Sequence, residues 1–192
     1  MTPEVVSTPL AGVLHLRPKL WQDSRGHFFE LWNRRDLEEI GISGEWVQDN
    51  ASMSCAGTLR GMHYQLRRPQ AKLVTCLAGE IIDVALDVRR GSPSFGVSVA
   101  VRLKGDEPSS LYVPEGFAHG FLVVSKNAIV TYKVTDFYSP ADERGIAWND
   151  PAVEAQWQAG MGAPVLSPRD AAWPALKDAW DLPDYSPTPA SA

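Results

Sequence analysis

The chain has little cysteine. Cys55 and Cys76 are its only two among 192 residues. They form no CxxC pair, which argues against a disulfide framework and a thiolate metal site. They read as buried thiols of a protein kept in the reducing cytoplasm. Histidine is scarce too: His15, His27, His63 and His119 make up the whole set. There is no excess of basic residues, since 18 Lys and Arg stand against 23 Asp and Glu for a net charge of −5. Nonspecific attraction to nucleic acid is therefore not expected. No apolar run approaches the roughly 18–20 residues of a membrane span. The opening stretch from Met1 to Leu10 is too polar and too broken by proline to read as a signal peptide. The GxSxG elbow of a serine nucleophile is missing, neither cysteine has a histidine near it in sequence, and no GxGxxG or GxxxxGK[ST] phosphate loop occurs.

What is present is a rhythm of short strands. Turn signals recur at Asp23-Ser24-Arg25-Gly26, Gly91-Ser92-Pro93, Lys104-Gly105-Asp106, Ser125-Lys126-Asn127 and Ser139-Pro140, separated by runs rich in Val, Ile, Phe, Tyr and Thr. This pattern predicts an all-β barrel or sandwich. Ile82, Val84, Leu86 and Val88 share one strand face, and Asp83, Ala85 and Asp87 the other, so one face is expected to pack inward and one to meet solvent or a partner. Val130, Tyr132 and Val134 likewise point together, away from Lys133. Arg34 to Ile40 reads as a short helix stopped by Gly41, and Asp170 to Ala179 as another interrupted by Pro174. Residues 1–181 form one domain with a substantial core. From Leu182 to Ala192 the chain carries three prolines and small residues, and is expected to be loosely ordered.

Candidate chemistry centres on Thr58-Leu59-Arg60-Gly61-Met62-His63-Tyr64-Gln65. His63 is either a general base or a core histidine bonded to a backbone carbonyl. Arg60 is either a bidentate phosphate ligand or a surface arginine in an ion pair. The two have opposite parity on a regular strand, and Gly61 between them could mark a bulge that re-aims one of them. His119 shares a face with Phe117 and Phe121 and so lines an apolar interior. Lys72, on the face of Val74 and Cys76, is unusual for an apolar position; the competing reading is a snorkelling edge lysine. Tyr132 is a core tyrosine or a cavity-facing general acid. Asp170 reads locally as a cap or first-turn carboxylate. Gln65 stands where an HxH metal pair would need its second histidine, so no metal is expected.

As an ordered set, these segments resemble the dTDP-4-dehydrorhamnose 3,5-epimerase family. The matching stretches are Asp23-Ser24-Arg25-Gly26-His27-Phe28-Phe29-Glu30, Gln48-Asp49-Asn50-Ala51-Ser52, Leu59 to Gln65, Lys72-Leu73-Val74, Asp83 to Arg89, Ser92 to Gly96, Pro114 to Phe121, Tyr132-Lys133, Tyr138-Ser139-Pro140 and Trp148-Asn149-Asp150-Pro151. The resemblance implies a cupin-type jelly-roll barrel without metal or redox cofactor, acting as a homodimer on a nucleotide-diphosphate sugar with a C4 ketone. It implies His63 as base, Asp170 as its orienting carboxylate, Tyr132 as acid on the opposite face, and Lys72 with His119 at the enolate oxygen. Arg60 would bind the diphosphate and Tyr138 would stack on thymine, although a tyrosine would stack on any pyrimidine. Gln48, Asp49, Asn50, Glu143 and Arg169 match substrate contacts, with Arg at 169 where Lys is expected. Phe28 belongs to the same set, and Arg25 and Glu30 match contacts supplied by the neighbouring subunit. An epimerase acting at C3 only or C5 only, and a non-catalytic sugar-binding jelly roll, are the competing outcomes.

Overall fold

The computed structural model describes residues 1–157 and 162–186. Thirteen strands are found among them. The first seven are β1 (Glu4–Leu10), β2 (Val13–Arg17), β3 (Leu20–Asp23), β4 (Gly26–Phe29), β5 (Gln48–Cys55), β6 (Leu59–Gln65) and β7 (Lys72–Ala78). The rest are β8 (Glu80–Asp87), β9 (Ser98–Lys104), β10 (Ser110–Val113), β11 (Phe117–Val123), β12 (Asn127–Val134) and β13 (Glu143–Gly145). They form a six-stranded sheet, β1-β2-β10-β7-β12-β5, a five-stranded sheet, β13-β6-β11-β8-β9, and the separate hairpin β3-β4. Pairing within the sheets is antiparallel. The two sheets face each other over a core that takes Val74, Leu111, Val113 and Val130 from one and Ile81, Ala85, Phe117 and Phe121 from the other. This is an all-β barrel, as the strand rhythm allows, and it is the jelly roll that the resemblance implies. No helix among the described residues is long and apolar enough to cross a membrane.

A second core explains why β8 does not have one wet face. Ile82, Val84, Leu86 and Val88 pack outward against Ile146, Val153, Trp157 and Leu182, which the chain lays over the back of the five-stranded sheet. Asp83 and Asp87 point the other way and are fully buried. The expectation of a solvent-facing side therefore fails, because period-2 alternation cannot tell water from a second covering layer. Asp87 is tolerated inside because it accepts hydrogen bonds from Arg89, Ser92 and Ser94. Burial alone would raise its pKa, but the guanidinium and the hydroxyls bring it down to about 2.

The helix expected from Arg34 is α1 (Arg34–Glu38), capped by the Asn33 side chain. The segment after Asp170 forms two 3-10 turns, Asp170–Ala172 and Leu176–Asp178, on either side of Pro174. Two expectations need correction. Cys55 is exposed rather than buried, and only Cys76 is an interior thiol. The chain from Leu182 to Tyr185 is docked, not loose: Leu182 is buried in the second core. The Arg90 amide donates to the Pro183 carbonyl at 2.8 Å, and the Tyr185 amide to the Arg90 carbonyl at 2.9 Å. Proline composition hid this, because the partner groups lie on a distant loop. Residues 187–192, the rest of that expectation, lie outside the described residues.

Gly61 settles the parity problem of β6. Leu59, Met62 and Tyr64 all join the outer core, which a regular strand would forbid for 59 and 62 together. The register with β11 slips at the same place: His119 pairs with His63, but Phe121 pairs with Arg60. One extra residue in β6 thus turns both Arg60 and His63 toward the interior of the barrel. Gly61 sits at φ +126°, and a Cβ there would lie 2.5 Å from the Gly120 Cα. Gly61→Ala is expected to lower unfolding free energy by about 2 kcal/mol or more. Urea denaturation checks this; an unchanged midpoint would show that the strand accommodates a side chain there.

Candidate active site

Between the sheets opens a cleft of about 410 Å³. Each sheet contributes a different set of side chains to it. β6 and β11 bring Arg60, His63 and His119; β5, β7 and β12 bring Gln48, Asn50, Lys72 and Tyr132; the chain beyond β13 brings Arg169 and Asp170. His63 and Tyr132 therefore stand on opposite walls of one cleft.

His63 is bonded through Nε2 to Asp170 Oδ1 at 2.5 Å, across 107 residues of sequence. Ser167 holds the other carboxylate oxygen, its hydroxyl donating to Asp170 Oδ2 at 2.8 Å. Burial works against the charge on Asp170, but the interaction with His63, the Ser167 hydroxyl and the Gly61 backbone outweigh it and hold the carboxyl below its usual range. A second pair lies deeper. His119 Nε2 meets Asp83 Oδ1 at 2.7 Å, with both side chains buried. Burial lowers the pKa of His119 in spite of Asp83, which keeps it neutral near pH 7.

Lys72 is buried, and its Nζ donates to the His63 carbonyl at 3.2 Å. That contact ties the two walls of the cleft together. Loss of hydration pulls its pKa down to about 8, with the Asp83 charge opposing the shift. Tyr132 moves the other way: burial raises its pKa and keeps the phenol protonated, against a smaller pull from Arg60. Arg60 is steadied by its Nε bond to Ser54 Oγ at 3.1 Å.

One end of the cleft carries a linked polar group. The Tyr138 hydroxyl donates to Glu143 at 3.0 Å, and Arg169 reaches both that hydroxyl at 3.0 Å and the Glu143 carboxylate. The Tyr138 amide donates to Gln48 Oε1 at 3.0 Å, and Gln48 donates to Asn50 at 2.8 Å. Gln65 supports this end from behind. Its Oε1 accepts the Ser139 amide at 2.6 Å, and its Nε2 donates to the Phe137 carbonyl at 3.2 Å. A residue read from sequence only as the lack of a second histidine is thus the anchor of the Tyr138 loop.

Asp49 does not meet the cleft, and Arg25, Phe28 and Glu30 lie outside the cleft of their own chain, Arg25 and Glu30 being those expected to serve a neighbouring subunit. Asp49 points to the outer face and pairs with Lys133 at 2.6 Å, as its parity opposite Gln48 and Asn50 on β5 dictates. Arg25 is bonded to Asp23 at the tip of the β3-β4 hairpin, and Phe28 on β4 is 68% exposed. Glu30 is paired with the Met1 amino group. Conversely, Ser52, Gln70, Phe121 and Ser167 line the cleft without having been singled out. Ser52 was readable as the next member of the 48-50-52 alternation, and Ser167 as the residue three before Asp170. Among the described residues no three His, Cys, Asp or Glu side chains cluster so as to hold a metal ion.

The fold and the cleft define a cupin-like barrel with a histidine–carboxylate pair facing a tyrosine and a buried lysine. Residues 7–178 match the family model described as dTDP-4-dehydrorhamnose 3,5-epimerase. The chain is 47% identical over 168 residues to the dTDP-4-dehydrorhamnose 3,5-epimerase of Pseudomonas aeruginosa, covering 87% of this chain and 92% of that one. A dTDP-6-deoxy-D-glucose-3,5-epimerase from Legionella pneumophila, crystallised with dTDP-4-keto-L-rhamnose, superposes with a TM-score of 0.91 at 43% identity, covering 96% of this chain and all of that one. A 3'-monoepimerase from Streptomyces bikiniensis, in complex with dTDP-quinovose, gives a TM-score of 0.86 at 32% identity and 93% coverage of both chains. The chain belongs to the dTDP-4-dehydrorhamnose 3,5-epimerase family.

The buried ammonium of Lys72 makes a stability prediction. Folding lowers its pKa from 10.5 to about 8, so the unfolded chain binds the extra proton between those values. Stability therefore rises with pH across that window, and the destabilisation is fully present below it. Lys72→Met should stabilise the fold at neutral pH by about 1–3 kcal/mol. That advantage should shrink as the pH climbs from about 8 to 10.5. Urea unfolding of both proteins across this range checks it; a pH-independent difference would contradict the assignment.

Proposed function

We propose that this chain inverts C3 and C5 of dTDP-4-keto-6-deoxy-D-glucose without a cofactor, giving dTDP-4-keto-L-rhamnose. The observation that carries the reading is the placement of His63–Asp170 and Tyr132 on opposite walls of one cleft. Inversion beside a ketone needs this arrangement. The C4 carbonyl acidifies the C3 and C5 protons, a base takes one from one face, and an acid returns one to the other. His63 donates through Nε2 to Asp170, which leaves the Nδ1 lone pair as the base. Asp170 fixes that tautomer and stabilises the imidazolium once it forms. Tyr132, kept protonated by burial, is the acid. The enolate oxygen that develops between the two steps lies toward Lys72, whose charge stabilises it, with the His119–Asp83 pair beside the lysine.

The nucleotide lies along β5 in this reading. Tyr138 stacks on the pyrimidine, Gln48, Asn50, Glu143 and Arg169 surround it, and Arg60 meets the diphosphate. The chain acts as a homodimer in the cytoplasm. The β3-β4 hairpin pairs with neither main sheet. Its exposed Phe28, together with Arg25 and Glu30, reaches the neighbouring cleft. Light scattering should give twice the chain mass.

The resemblance in fold to a 3'-monoepimerase supports a second reading, inversion at C3 alone. Both centres use the same base and acid, so the carbon that exchanges decides between them. Incubation of dTDP-4-keto-6-deoxy-D-glucose with the enzyme in D2O, followed by NMR, should place deuterium at C3 and C5. Deuterium at C3 only selects the second reading, and deuterium at neither carbon contradicts both. Tyr132→Phe should still exchange hydrogen on the His63 face while losing inversion by about 10²-fold or more.

A further inference from the structure

We infer that Trp173 is a positioning residue for the base, in a contact built by Gly145; this rests on the reading of His63 as that base. Trp173 ends the 3-10 turn that carries Asp170. Its indole meets the His63 imidazole edge-on, with ring centroids 6.1 Å apart and planes at 72°. Gly145 of β13 pairs directly with His63 of β6. A Cβ on Gly145 would lie 2.5–2.6 Å from the Cγ, Cδ2 and Cε2 atoms of the indole. The indole thus occupies the side-chain space of the residue beside the base, and no other residue type at 145 leaves it room. The backbone after Trp173 is locked, the Ala147 amide donating to the Pro174 carbonyl at 2.8 Å.

The physical role follows from what Asp170 alone cannot do. A single hydrogen bond at Nε2 fixes one ring atom but leaves the imidazole free to pivot about that bond. The indole closes the side toward which it would turn. One short turn therefore holds His63 twice, by a carboxylate from position 170 and by a wall from position 173. Among the described residues the buried indole Nε1 meets no hydrogen-bond partner, so the contact with His63 is one of shape, which a phenyl ring can largely supply.

The test separates placement from fold stability. Trp173→Ala should lower kcat about 10- to 100-fold with KM changed less than about threefold, as expected when a reacting group is misplaced and binding is not. Trp173→Phe should restore most of kcat. Leu176→Ala, which trims the second core on the neighbouring turn, should lower the unfolding midpoint comparably and leave kcat near wild type. A substrate-free readout keeps this inference distinct from the proposed reaction. With 15N-labelled histidine, the His63 proton shared with Asp170 should be a sharp downfield resonance in wild type and Trp173→Phe, and should broaden or vanish in Trp173→Ala. The inference is overturned if Trp173→Ala keeps wild-type kcat and resonance, if the loss falls on KM, or if Leu176→Ala loses as much kcat.

Discussion

The bond between His63 and Asp170 is the constraint around which the rest of the site is arranged. It joins a strand of the five-stranded sheet to a turn more than a hundred residues later. To make it, β6 must turn His63 inward, which needs the extra residue at Gly61. The chain beyond β13 must also wrap the back of the sheet, which the burial of Ile146, Trp157 and Leu182 secures. Hydrophobic burial on the outer face therefore positions a polar contact on the inner one. The carboxylate stays ionised inside the protein because the imidazole, Ser167 and the backbone compensate for lost water.

The two histidine–carboxylate pairs differ in burial, and that difference separates their roles. His63 is partly exposed to the cleft, whereas His119, which also lines it, is nearly buried and Asp83 is completely so. The first can exchange a proton with a bound substrate. The second is a fixed dipole beside Lys72. The lysine is the costly element: an ammonium out of water with one carbonyl for a partner. Such a charge weakens the fold, and in the proposed reaction it offsets the negative charge that develops next to it.

Much of this was legible in the sequence. Turn spacing pointed to an all-β barrel or sandwich, and strand alternation placed Val130 with Tyr132, and Lys72 with Val74 and Cys76, on inward faces. The ordered motifs then named the cleft residues. Alternation misjudged β8 because it records polarity and not the number of layers, and it could not foresee that Leu182 to Tyr185 would dock on Arg90. Asp49 was carried into the site with its neighbours Gln48 and Asn50, against its own parity. The function of Gln65 depends on backbone groups of Phe137 and Ser139, far away in sequence, and composition carries no trace of them. Trp173 drew no reading from the sequence, since its significance lies in a glycine opposite it.

The central claim is that the Asp170 carboxylate makes His63 a competent base by fixing its tautomer and stabilising its charged form. Replacing Asp170 by Asn keeps the shape and removes the charge. Steady-state kinetics of Asp170→Asn on dTDP-4-keto-6-deoxy-D-glucose is the most direct measurement. The account predicts a fall in kcat of about 10²- to 10⁴-fold with KM little changed. A variant that turns over within a few fold of wild type would contradict it.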